Sequence, residues 1–385
     1  MATSIRGRKL RLLLTLTVVL LAGLVLAHPV STHLRAMSVL LRFSNPQTTG
    51  IKVRFAQHPV AEETFSAQTP WGPLRYRLYK PKDIENPPGI VLLHGIHDLG
   101  IEEPRLTSFA RALSGAGVEI MTPELRDLAD YRVTPHTVDT IGISAVILCT
   151  QLKVQKVGVT GLSFAGGLSL LAASKPEYAQ RIAFVVAIGA HDDLIRVSRF
   201  FATNTVEKPD GTTAPFPAHE YGVLVLAYAH LDHFFSAEDV PIAREALRLW
   251  LHEKPEPSLS TAKQLTPQGQ QMFDLILHHH DVLRPKLLEE IEAHRDEMAS
   301  SSPHGQIGNL TMPVFLLHGA GDNVIPPTES QWLAHDLPPG EVRRLLISPA
   351  LIHVNMDDKV TFRQEWDLVD FIAQVLDMAD REKAN

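Results

Sequence analysis

From residue 74 onward the chain alternates between short apolar runs and longer segments whose apolar positions recur every three or four residues. Leu74-Arg75-Tyr76-Arg77-Leu78-Tyr79 alternates strictly and reads as a half-buried strand, closed off by the prolines at 81, 87 and 88. Ile90 to Leu93, Val118 to Met121, Val157 to Thr160 and Ile182 to Ile188 are continuous apolar runs of strand length. Between them, Leu106 to Leu113 reads as a helix, and Val138, Ile141, Ala145 and Leu148 fall on one face of another. The rhythm stops near Asp192 and resumes with strands at Met312 to Leu317 and Val342 to Ile347. A last helix carries Phe362, Trp366, Val369, Ile372 and Leu376. Continuous apolar strands separated by helices predict a mostly parallel, doubly wound sheet covered on both faces, in the α/β class.

Two stretches fall outside this rhythm. Residues 28–70 are mixed and turn-rich, and the alternation of Ile51-Lys52-Val53-Arg54-Phe55 suggests edge strands. Residues 196–310 are helical in pattern and rich in histidine. Helices are expected to begin near Ala218, Pro241, Pro267 and Val282, with Thr266 capping the third ahead of a proline at its first position. An insertion of that size between core strands reads as a helical cap. The expected organisation is therefore a leader at 1–27, an extension at 28–70, a first core part at 71–195, the cap at 196–310 and a second core part at 311–385.

The leader is a separate signal. Arg6, Arg8, Lys9 and Arg11 precede an uncharged apolar run from Leu12 to Ala27, and Val25-Leu26-Ala27 offers small-residue spacing for cleavage. This predicts a signal peptide or an uncleaved membrane anchor. The rest of the chain would then be exported, to the periplasm or the outside, or held facing outward on a membrane. A net charge of -7 with no basic run argues against a nucleic-acid partner. The single cysteine, Cys149, excludes an internal disulfide, and its place in an apolar helical pattern predicts a buried, inert thiol.

Candidate chemistry centres on Gly161-Leu162-Ser163-Phe164-Ala165-Gly166-Gly167, which sets one serine between a strand-like run and a helix-like run of small residues. Such a turn pushes a side chain out of the sheet edge, and small neighbours let the backbone pass closely. Taken alone, Ser163 fits a helix cap as well as a nucleophile. His94-Gly95 follows an earlier strand, His318-Gly319-Ala320-Gly321-Asp322 follows a later one, and His353 lies between the last strand and the last helix. Asp322 also suits a simple turn, and Asp192 and Asp193 are alternative acids just after the preceding strand.

With these motifs in this order, the chain from about Pro88 to Ala373 resembles the serine hydrolases of the α/β-hydrolase fold, nearest to esterases and dienelactone-hydrolase-like proteins. The resemblance implies a nucleophile at Ser163, a base at His353 and an orienting acid at Asp322, with oxyanion donors at the backbone N–H groups of Phe164 and Ile96. It implies hydrolysis of a small-molecule carboxylic ester through an acyl-enzyme, without a metal or organic cofactor. Peptidase or amidase action in the same fold is the enzymatic alternative. A binding protein that has lost turnover is the other, because Ala165 stands where the family pattern has glycine. His94 is expected to shape the oxyanion loop. The clusters His230-Leu231-Asp232-His233 and His278-His279-His280-Asp281 lack metal-site spacing and read as locally paired cap histidines.

Overall fold

The computed structural model describes residues 28–351 and 361–384; the leader and the segment carrying His353 lie outside the described residues. A helix over 28–44 (α1) comes first, followed by a 3-10 turn at Ile51–Ala56 and an antiparallel hairpin of β1 (Val60–Thr69) and β2 (Gly72–Pro81). The expected edge strand at 51–55 is thus a 3-10 helix. Its buried positions are Val53 and Ala56, three residues apart, while Ile51 is 79% exposed. The spacing of burial fits three residues per turn, and the polar alternation that suggested a strand is incidental.

The alternating part follows the sequence pattern closely. It runs β3 (Gly89–Leu93), α2 (Pro104–Gly115), β4 (Glu119–Pro123), a short α3 (Arg126–Ala129), α4 (Pro135–Leu152), β5 (Val157–Leu162), α5 (Phe164–Ser174), a short α6 (Pro176–Ala179) and β6 (Ile182–Ile188). After the insertion come β9 (Val314–Gly319), α15 (Thr328–Asp336), β10 (Val342–Ser348) and α16 (Phe362–Ala384). The eight sheet strands lie in the order β1-β2-β4-β3-β5-β6-β9-β10, antiparallel across β1, β2 and β4 and parallel elsewhere.

Alternate strand residues feed two separate cores. Ile90, Leu92, Ile120, Phe184 and Phe315 pack with α2, α16 and Ala36 and Val39 of α1. Val91, Leu93, Val159, Val185 and Leu316 pack with α4 and α5. Each of these central strands is therefore apolar on both faces, which is why its sequence shows no alternation.

From β3 the chain steps to β4 on one side and then returns to β5 on the other. That reversal opens a crevice between the carboxyl ends of β3 and β5, where ligands bind in open α/β sheets.

The insertion consists of α7 (Leu194–Thr203), a small hairpin of β7 (Thr205–Glu207) and β8 (Thr213–Pro215), then α8 (Tyr221–Ala229), α9 (Leu231–Phe234), α10 (Val240–Leu251), α11 (Pro255–Ala262), α12 (Pro267–His278), α13 (His280–Ala293) and α14 (Arg295–Ser300). Thr266 caps α12 as expected, its hydroxyl accepting from Gly269 N–H at 3.1 Å. α8 is apolar on nearly every side and packs among α7, α10, α12 and α13. Cys149 is buried, and desolvation pushes its thiol up to about 11, so it stays protonated and unreactive at neutral pH.

Candidate active site

Ser163 sits between β5 and α5 with φ 56° and ψ -133°, a backbone conformation that a non-glycine residue adopts only under constraint. Several contacts supply the constraint. Its N–H donates to the Ile188 carbonyl at 2.7 Å, and its carbonyl accepts from Gly166 N–H at 2.9 Å. The turn closes so tightly that a Cβ on Gly161 would lie 2.4 Å from the Ala165 carbonyl oxygen. One on Gly166 would lie 2.7 Å from the Ala190 side chain, and one on Gly167 2.5 Å from the His191 ring. Glycine is required at these positions by steric approach, while the fully buried Ala165 between them is accommodated. The alanine that departs from the family pattern leaves the strained serine in place.

The loop after β3 lies directly against this serine. A Cβ on Gly95 would be 3.0 Å from Ser163 Cβ and 3.7 Å from its Oγ. His94 holds that loop. Its Nε2 accepts from Leu125 N–H at 2.9 Å, which leaves the ring proton on Nδ1 to be donated to the Gly95 carbonyl at 2.7 Å. Burial lowers its pKa to about 4, so the ring stays neutral and the two bonds persist through the physiological range. Because the peptide is trans, a Gly95 carbonyl turned toward His94 sends the Ile96 N–H the opposite way. Phe164, the first residue of α5, is buried against the His191 ring at 5.4 Å, and its N–H belongs to the unpaired first turn of the helix.

Asp322 reaches the same edge from β9. Its Oδ1 accepts from the N–H groups of Val324 and Ile325 at 3.0 and 3.1 Å, an Asx-type turn that fixes the carboxylate. His318 braces the turn, donating from Nε2 to the Ile325 carbonyl at 2.8 Å and pairing through Nδ1 with Ser330 Oγ at 2.6 Å. Burial lowers its pKa and keeps it neutral. Asp322 Oδ2 is 3.4 Å from the position of a Cβ on Gly189, at the end of β6. Since β6 lies between β5 and β9, Ser163 and Asp322 emerge from strand ends two strands apart, roughly 10 Å. Leu351, the last described residue before the gap, lies over Gly319, its carbonyl oxygen 2.4 Å from where a Cβ there would stand. His353 itself falls outside the described residues.

The alternative acids are occupied elsewhere. Asp193 caps α7, accepting from Ile195 N–H at 2.8 Å. Asp192 is fully buried and paired at 2.7 Å with Arg196, whose Nε also contacts Glu329 Oε1 at 2.6 Å. Glu329 Oε2 in turn accepts from the N–H groups of both Asp192 and Asp193. No motif marked Arg196 or Glu329 in the sequence, since 133 residues separate them. The helical insertion packs on Tyr131, whose hydroxyl donates to the Leu251 carbonyl at 2.9 Å and whose ring lies 6.1 Å from Tyr221 and 5.8 Å from His252. His219 N–H donates to the Asn323 carbonyl at 2.8 Å, so the approach to α8 starts beside Asp322. Two surface clefts, one lined by Phe65, Leu78 and Glu119 and the other by Arg42, His58 and Arg111, involve none of these residues.

A strained serine on a strand-to-helix turn, at the switch point of a mostly parallel sheet, defines a hydrolase architecture. The family model described as alpha/beta hydrolase fold matches residues 90–359, and the chain belongs to that family. It is 26% identical over 259 residues, 67% of this chain and 89% of the other, to the pimeloyl-[acyl-carrier protein] methyl ester esterase of Aromatoleum aromaticum. Among solved structures it is similar to a Pyrobaculum calidifontis esterase, at 16% identity and TM-score 0.44, covering 86% of this chain and 88% of that one. It is also similar to brefeldin A esterase, a bacterial homologue of human hormone sensitive lipase, at 14% identity and TM-score 0.47 over 91% and 86% of the two chains.

Proposed function

We propose that the chain is a serine hydrolase that cleaves a small-molecule carboxylic ester, with Ser163 as nucleophile, His353 as general base and Asp322 as its orienting acid. The observation that carries the reading is the left-handed backbone at Ser163, packed beneath the Gly95 loop. That strain is maintained by glycines at 161, 166 and 167 and serves no packing purpose of the serine itself. The ester preference is supported by the methyl ester esterase to which the chain is similar.

In the first half-reaction Ser163 Oγ attacks the ester carbonyl as its proton passes to the His353 imidazole. The tetrahedral oxyanion is met by the N–H groups of Phe164 and Ile96, and collapse expels the alcohol with the proton that His353 returns. Water then adds to the acyl-enzyme by the same route, releasing the acid and restoring Ser163.

The test compares nitrophenyl esters of several acyl lengths with aminoacyl nitroanilides, alongside labelling by a fluorophosphonate probe. Ester cleavage should be the faster and the wild-type chain should be labelled. Faster anilide cleavage would move the assignment to a peptidase, and an unlabelled, inactive wild type would make the chain a binding protein.

We further propose that residues 1–27 direct export, from the four cations ahead of the apolar run. Among the described residues no helix is long and apolar enough to cross a membrane. Fractionation with amino-terminal sequencing should find the mature chain outside the cytoplasm. A soluble cytoplasmic product beginning at Met1 would refute export.

A further inference from the structure

The cap contains a second constellation that the hydrolytic reaction does not use. His230 lies between α8 and α9, His233 is in α9, Glu290 is in the last turn of α13, His294 joins α13 to α14, and Glu297 is in the first turn of α14. Glu290 is 0% exposed, and the partners of its carboxylate are imidazoles. Around it stand three imidazoles: His294 Nδ1 at 2.8 Å and His230 Nε2 at 3.6 Å from Oε1, and His233 Nδ1 at 3.4 Å from Oε2. The His230 and His294 rings are stacked with centroids 3.6 Å apart.

Three imidazoles gathered around one buried carboxylate leave ring nitrogens that the carboxylate does not use. A buried carboxylate normally sits on an arginine or collects several N–H donors. Here the neighbours are imidazoles, and Asp232 and Glu297 add further negative charge. Ring nitrogens of His230 and His294 and a carboxylate oxygen of Glu297 all lie within 4.8 Å of one another. A point within about 2.8 Å of all three therefore exists. Reaching the 2.0–2.2 Å of zinc–imidazole and zinc–carboxylate bonds requires the stacked rings to swing apart, so that the in-plane lone pairs of both converge on the ion.

We propose that this cluster is a structural site for a zinc-class divalent cation, with His230, His294 and Glu297 as ligands and Glu290 as the buried carboxylate that fixes the ring orientations behind them. Imidazole with carboxylate is a donor set that suits Zn²⁺ over Mg²⁺ or Ca²⁺. A carboxylate behind ligating histidines is the usual way their tautomer and direction are set. The ion would tie the α8–α9 corner to the α13–α14 corner. His278, His279 and His280 do not take part: they contact Trp250, Asp274 and the Ile276 carbonyl separately.

The chain stripped with a chelator should bind zinc chloride at one ion per molecule in calorimetry and melt several degrees higher with zinc than without. His294→Gln and the surface change Glu297→Gln should each weaken zinc binding by about 10-fold or more, whereas His279→Gln should leave it unchanged. Glu297 is exposed, so its variant keeps the test decisive even if the His294 variant does not fold. No zinc uptake by the stripped chain, or Glu297→Gln binding as tightly as the wild type, would overturn the site. Both readouts are independent of catalysis, so inactivity toward esters would leave this result standing and the converse holds equally.

Discussion

Ser163→Ala is expected to lower kcat for ester hydrolysis by roughly 10⁴–10⁶-fold while leaving the melting temperature nearly unchanged. The loss is large because in the proposed mechanism attack, proton transfer and the acyl-enzyme all run through one oxygen, which lies against the Gly95 loop. Some residual rate should remain from the backbone donors at Phe164 and Ile96, which the substitution does not touch. The proposed triad acts as a unit, so adding His353→Ala to Ser163→Ala should cost little more than Ser163→Ala alone. Steady-state kinetics on one nitrophenyl ester checks both statements. A Ser163→Ala enzyme retaining more than a tenth of the wild-type kcat would remove the nucleophile from the assignment.

Arg196→Met is expected to destabilise the fold by about 3–5 kcal/mol, measured by chemical denaturation at pH 8. The guanidinium is 13% exposed and stands between two fully buried carboxylates, Asp192 and Glu329, with its face 4.4 Å from the Trp332 ring. Removing it strands both charges at the point where the cap leaves and rejoins the core. The effect should depend on pH with a definite sign. Burial and the charge of Glu329 push the Asp192 carboxyl up to about 7, against an opposing pull from Arg196. An unfolded aspartate titrates near 4, so between about 4 and 7 the folded state holds a proton that the unfolded state lacks. Stability from this group therefore falls as pH rises through that window. Without Arg196 the upward shift grows, and the variant should lose less stability at pH 5 than at pH 8. An equal loss at both values would show that Asp192 is not the titrating group.

Much of the architecture could be read in advance, because fully buried parallel strands leave an unmistakable trace of continuous apolar residues between helical periods. The positions of Ser163 and Asp322 were legible for a related reason. Each follows a core strand by one to three residues, and a parallel sheet delivers all such positions to one edge. The 3-10 turn at Ile51–Ala56 was misread because a short polar–apolar alternation fits two periods, and only the burial of Val53 and Ala56 separates them.

The amino-acid order alone settled which segments of the alternating core become strands and helices, and which side chains stand at the carboxyl ends of those strands, since both follow from periods of two to four residues. The three-dimensional arrangement settled the rest: that Gly95 meets Ser163, that His94 braces its loop through Leu125, that Arg196 joins Asp192 to Glu329, and that His230 and His294 stack over Glu290. Many of these partners lie tens to more than a hundred residues apart along the chain. Periodicity records only whether a position is buried. Which buried polar groups face one another depends on strand order and cap docking, and no local pattern carries that information.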